Sequence, residues 1–227
     1  MSGRLDRPRF RGTGLGPVTA RQRFERCPFC ALECHDCSRA VFLVGFMASG
    51  KSSVGRELAE RLGWDFLDLG ERIEVREQKT IPEIFRERGE AGFRLAEANA
   101  LRDLMAESLR GDSVVALGGG AFVQEDNREM LRQWPSVFLE TSASELWQRS
   151  LADEIERPLR GNAEEFARLS AERLPFYRKA TVTIVTSGKD LATICNEIEC
   201  TLQGWRKAEA AGSTQVPPTQ GRTGESK

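Results

Sequence analysis

Residues 40–53, AVFLVGFMASGKSS, decide how this chain folds. Ala40–Gly45 is a short apolar run ending in glycine, which reads as a buried strand. Gly45–Ser52 fits GxxxxGK[ST], and from Lys51 to Leu62 the apolar positions Val54, Leu58 and Leu62 recur at helical spacing. A strand, a glycine-rich turn and a helix in that order form a phosphate loop. Its glycines let the backbone turn tightly, so that N–H groups point at phosphate oxygens. The following helix adds free amides and the positive end of its dipole. Lys51 brings a charge to the outer phosphates, and Ser52 offers a hydroxyl to Mg²⁺. The alternative, a plain glycine turn beside an incidental lysine, is disfavoured by the strand and helix that flank it.

Outward from this motif, short apolar runs alternate with helical patterns. Trp64–Asp68, Ser113–Leu117, Ser136–Glu140 and Thr181–Val185 read as four further strands. Helical periodicity covers Glu71–Ser108, with breaks expected near Pro82 and Gly89, and then Ser144–Ala152, Ala163–Tyr177 and Leu191–Trp205. The alternation predicts an α/β fold: a parallel sheet with helices on both faces. The organisation expected is an arginine- and cysteine-containing extension over 1–39, one domain over 40–205, and a disordered tail over 206–227.

Composition narrows the chemistry. Of the 227 residues, 30% are charged and the net charge is −1, which argues against a globally basic nucleic-acid binder. The charge is uneven. Residues 1–39 hold eight arginines, no lysine and four acids, and residues 206–227 carry +2, which leaves the middle near −7. No apolar run approaches the roughly 18 residues of a membrane span, and the start lacks the apolar stretch of a signal peptide. There is one histidine, His35. Ser-His-Asp hydrolysis and multi-histidine metal centres are thereby excluded unless the site lies at residue 35. The chemistry is left to carboxylates, lysine, arginine and backbone amides.

Asp68 ends the second strand, and Gly118-Gly119-Gly120 follows the third. In open parallel sheets ligands lie off the carboxyl ends of the strands, so both are placed at a binding edge. For the glycines the alternative is a tight turn. Arg94 and Arg173 fall on expected helices, where most arginines are solvated surface charges. Arg157, in a polar stretch between helices, belongs to a candidate lid from which an arginine meets the charge developing in phosphoryl transfer.

In order along residues 40–204, GFMASGKSS, FLDLGERIE, IPEIFRERGEAGFRLAE, ALGGGA, ERPLRG and RLPFYRKA resemble the shikimate kinase family. The resemblance implies a three-layer αβα fold like that of nucleoside monophosphate kinases, with a five-stranded parallel sheet and a lid. It implies transfer of the ATP γ-phosphate to the 3-hydroxyl of shikimate by a cytoplasmic monomer whose partners are these two small molecules. Gly45, Ala48, Ser49, Gly50, Lys51, Ser52 and Ser53 would cradle the ATP phosphates, with Arg149 on the adenine side. Ser52 and Asp68 would serve Mg²⁺, and Lys51, Asp68 and Arg157 would be the catalytic groups. Arg94, Gly118, Gly119, Gly120 and Arg173 would hold shikimate. Two arginines suit a carboxylate-bearing polyol, because the guanidinium fork matches a carboxylate.

The chain departs from the family at Gly70. Family members usually read Asp-x-Asp after the second strand; Asp68 matches the first aspartate and Gly70 replaces the second. Three outcomes stay open: Asp68 or Glu71 takes over the contact, the acceptor is another hydroxylated metabolite, or the domain binds nucleotide with weak or no catalysis. Ala48 also stands where a glycine is usual.

Cys27, Cys30, Cys34 and Cys37 form C-x₂-C-x₃-C-x₂-C around His35. The two CxxC pairs point to a Zn²⁺ site or an iron–sulfur cluster, although the linker is shorter than in zinc ribbons. A redox dithiol, or no role, are the alternatives. Reduced cysteines beside a kinase core suggest cytosol, while the arginine-rich, acid-poor start resembles an organelle transit peptide.

Overall fold

The computed structural model of the chain describes residues 40–108, 111–152 and 158–210. Strand β1 (Ala40–Val44) is buried at every position, and its side chains alternate between two cores. Ala40, Phe42 and Val44 point to one face of the sheet, Val41 and Leu43 to the other. A strand buried on both faces needs helices on both. One face is covered by α1 (Lys51–Leu62) and α7 (Leu191–Ala210), through Val54, Leu58, Ile194 and Ile198. The opposite face carries α2 (Leu69–Glu77), α3 (Ile81–Ser108), α4 (Glu125–Leu131), α5 (Ala143–Ala152) and α6 (Ala163–Tyr177).

The other strands are β2 (Asp65–Asp68), β3 (Ser113–Ala116), β4 (Ser136–Glu140) and β5 (Val182–Val185), all parallel, in the order β2-β3-β1-β4-β5. The five-stranded parallel sheet and the two helical layers agree with the expected fold class. Parallel pairing sends the carboxyl ends of all five strands to one edge. Leu43 pairs with Ala116 and Asp68 with Ala116, so the segments after β1, β2 and β3 start side by side.

Some boundaries agree with the expectation and others differ, each for a physical reason. The helix break expected near Pro82 is present, since α2 ends at Glu77 and α3 opens at Ile81; Pro82 itself sits in the first turn of α3, where the missing N–H costs nothing. Thr80 and Glu83 cap that turn reciprocally, at 2.8 and 3.4 Å. Gly89 does interrupt α3, with φ 65° and ψ −174°. Helix α4 and the 3₁₀ turn Ala121–Val123 were not expected: α4 is short and polar, and it is held by the buried Asn127, whose amide donates to the Ala121 carbonyl at 3.0 Å. Helix α7 runs past Trp205 to Ala210.

The approach of α1 to the sheet depends on a missing side chain. A Cβ on Gly55 would lie 2.3 Å from Cε2 of Phe66 and 3.3 Å from Cδ1 of Leu43. Gly55→Ala is expected to cost about 1–3 kcal/mol by overpacking. The measurement is urea unfolding: a lower midpoint with an unchanged slope is the expected result, and an unchanged midpoint would show that the helix yields freely.

Candidate active site

At the carboxyl edge, the turn after β1 wraps around Lys51. Its ammonium donates to the carbonyls of Gly45 (3.0 Å) and Phe46 (2.8 Å) and to Oγ of Ser49 (3.4 Å). Gly50 caps α1 with φ 85°. Ala48 also takes a left-handed backbone, φ 61°, which costs a residue with a Cβ roughly 1–2 kcal/mol. The strain is localised where the amides of Lys51, Ser52 and Ser53 open the helix without intrahelical acceptors. No acidic residue occupies this first turn. The cradle is therefore suited to a polyphosphate. Arg149 on α5 reaches over it: its Nη1 lies 4.0 Å from where a Cβ on Gly50 would sit, while its Nη2 pairs with Glu145 at 2.5 Å.

Asp68 joins this loop to β2. Its Oδ2 accepts the Ser52 hydroxyl at 2.7 Å, and its Oδ1 caps α2 by accepting the Gly70 N–H at 2.9 Å. A hydroxyl and a carboxylate in contact at the mouth of a phosphate cradle form a hard-oxygen donor pair, the ligand type that Mg²⁺ takes alongside phosphate oxygens. Glu71 is turned away into an exposed ion pair with Arg56 at 2.7 Å.

The second half of the site surrounds the triple glycine. Arg94 leans on Gly120 so closely that a Cβ there would lie 2.0 Å from its Nη1. Its Nη1 donates to Glu97 at 2.8 Å and its Nη2 to Glu90 at 2.9 Å. Glu97 is 1% exposed and also accepts from Nε2 of Gln124 at 3.0 Å. Burial is the largest influence on Glu97 and raises its pKa, against the pull of Arg94 and Arg173. Burial also works against the charge on Arg94, but Glu97 and Glu90 outweigh it and its pKa is raised. Gly118 leaves room for Glu97, since a Cβ would come within 2.4 Å of its Oε1.

Arg173, on α6, is 8% exposed and approaches the same glycines from the other side. Its Nη1 donates to the Gly119 carbonyl at 3.4 Å, and its Nη2 lies 4.0 Å from Oε1 of Glu90. The Tyr177 hydroxyl donates to that same carbonyl. Gly119 itself abuts the phosphate loop, at 3.4 Å from the Met47 amide nitrogen and 3.7 Å from the Gly45 carbonyl oxygen, measured from its Cβ position. Two guanidinium groups thus flank one glycine turn beside the phosphate cradle.

The structure brings together Gly45, Ala48, Ser49, Gly50, Lys51, Ser52, Ser53, Asp68, Arg94, Gly118, Gly119, Gly120, Arg149 and Arg173 at one sheet edge. Arg157 lies outside the described residues, as do Cys27, Cys30, Cys34 and Cys37. Among the described residues there is no cluster of three or more metal-ligating side chains, and no helix is long and apolar enough to cross a membrane. Sequence reasoning missed Glu90, Glu97, Gln124 and Tyr177. For Glu90 and Glu97 a signal existed: they stand four before and three after Arg94, the spacing at which helical neighbours pair.

Comparison with known proteins agrees with this architecture. The family model for shikimate kinase matches residues 47–203. The shikimate kinase of Thermus thermophilus is 39% identical over 177 residues, covering 76% of this chain and 94% of its own. That of Geobacter metallireducens is 41% identical over 169 residues, covering 73% and 93%. Among solved structures, a shikimate kinase from Acinetobacter baumannii in complex with shikimate superposes with a TM-score of 0.68 at 36% identity, over 74% of this chain and 94% of that one. A deoxyadenosine kinase from M. mycoides, TM-score 0.52 at 13% identity over 72% of this chain and 98% of its own, shares the fold. With a match that spans most of the chain and relatives near 40% identity, the chain belongs to the shikimate kinase family.

Proposed function

We propose that this chain transfers the γ-phosphoryl group of ATP to the 3-hydroxyl of shikimate. The observation that carries the reading is the nearness of Gly119 to the phosphate loop, where a Cβ would meet Met47 and Gly45, with Arg94 and Arg173 on either flank of the glycine turn. A carboxylated acceptor held by two guanidinium groups there would lie next to the end of a phosphate chain held by the loop.

In this reading the amides of Ala48–Ser53 and the Lys51 ammonium bind the phosphates, and Lys51 exchanges loop carbonyls for phosphate oxygens. Arg149 covers the adenine side, and Arg157, outside the described residues, would meet the phosphates. Ser52 and Asp68 would hold Mg²⁺, which supplies charge neutralisation on the transferring group. Arg94, Gly118, Gly119, Gly120 and Arg173 orient the acceptor. Catalysis in this class comes mostly from such positioning and electrostatics. The test is ADP release with shikimate and a panel of other hydroxylated acids. Stimulation by shikimate well above the ATP-only background is expected. Stimulation by another acid instead would reassign the acceptor, and none by any would leave a nucleotide-binding module.

Gly70 is the point of divergence. Both Asp68 oxygens are engaged, by Ser52 and by the Gly70 amide, and Glu71 is paired with Arg56. Neither carboxylate is idle as a substitute. A Cβ on Gly70 would stand 3.2 Å from Oδ1 of Asp68 and 3.6 Å from Cδ1 of Ile81, so a side chain fits with a small adjustment. Gly70→Asp is therefore expected to lower the shikimate KM or raise kcat, and general-base help alone is worth about 10²–10⁴-fold. Steady-state kinetics of the two proteins give the answer. An equal or poorer variant would mean that the site has reorganised around the glycine.

A further inference from the structure

Tyr177 is the chain's one tyrosine, set against twelve phenylalanines. It is 2% exposed and stacks on Phe138 with ring centroids 5.4 Å apart. A phenylalanine would fill the same core space, so the hydroxyl calls for a separate reason. It donates to the Gly119 carbonyl, the acceptor also used by Arg173. Burial is the largest influence on the phenol and pushes its pKa up to about 12, so it remains a donor throughout the working range.

The Gly119–Gly120 peptide is a junction. Its carbonyl faces Arg173 and Tyr177, Arg94 packs on Gly120, and Gly119 lies beside the phosphate loop, which a Cβ there would meet at 3.4 Å. A trans peptide is rigid, so fixing the carbonyl also fixes the opposed Gly120 N–H. Arg173 alone fixes it weakly, because its bond to Gly119 is long, at 3.4 Å. Glycine offers no side chain that could hold the plane from within.

We propose that Tyr177 is a positioning residue: its hydroxyl locks the Gly119–Gly120 peptide and so sets the register between the acceptor arginines and the phosphate loop. The proposal rests on the acceptor site assigned above. It acts on the acceptor side, because the phosphate loop has its own supports in Lys51 and Asp68.

The test compares Tyr177→Phe with the unaltered chain in steady-state kinetics. The expected result is a shikimate KM raised about five- to tenfold, the worth of one hydrogen bond, with the ATP KM unchanged. Phe138→Leu provides the control. It removes the stacking partner but leaves the hydroxyl, so it should lower Tm while moving the shikimate KM much less. Equal KM values for Tyr177→Phe and the unaltered chain would overturn the proposal. So would a rise shared by both substrates and by Phe138→Leu, which would mark a packing role. An unaltered chain that fails to turn over shikimate would instead overturn the assigned function.

Discussion

The hydrogen bond from the Leu117 amide to the Leu43 carbonyl, at 3.0 Å, continues the β1–β3 ladder past its last paired residues. Everything functional depends on that register. It brings the turn after β1 and the turn after β3 out of the sheet side by side. The phosphate loop and the triple glycine then lie side by side, close enough that a Cβ on Gly119 would meet Met47 and Gly45. A slip of one residue would send Phe42 and Val44 to the wrong core and separate the two turns. The buried alternation of β1 resists such a slip, because each face packs a different set of helices.

The proposed acceptor side rests on an electrostatic balance around the buried Glu97. Glu97 is buried and Arg94 half-buried, so removing Arg94 would leave a carboxylate inside the protein without its main partner. Exposed pairs such as Arg56–Glu71 contribute far less. The burial of Glu97 also serves orientation. It fixes the Arg94 head against Gly120, and Gln124 shares its carboxylate. Glycine at 118 and 120 follows from the same packing: one leaves room for the carboxylate and the other for the guanidinium. Gly118 and Gly120 are needed here for close approach, since neither has a positive φ in the left-handed region.

Much of this was legible in the sequence. The central strands β1, β3 and β4 are buried apolar runs, and all five strands were visible to within a residue or so. The phosphate loop was readable because its flanks match its chemistry, and Arg94 and Arg173 stood in motifs whose residues meet at Gly120 and Gly119. What escaped was tertiary. Helix α4 is short and polar, and its anchor is a buried asparagine. Tyr177 reaches Gly119 across 58 positions of chain, a contact that no local pattern announces. Glu97 had the right spacing from Arg94, but only packing shows that this face of α3 is buried. Pro82, by contrast, was a readable breakpoint because a proline is tolerated in the first turn of a helix, and α3 does open at Ile81.

We propose that Arg94 and Arg173 hold the carboxylate of the acceptor next to the phosphate loop. Calorimetric titration of shikimate and of its methyl ester into the protein tests this most directly, since the ester keeps the ring and hydroxyls but not the charge. Shikimate is expected to bind more than about tenfold more tightly than the ester, as charge-assisted pairing to two guanidinium groups requires. Equal affinity for the two would contradict the account.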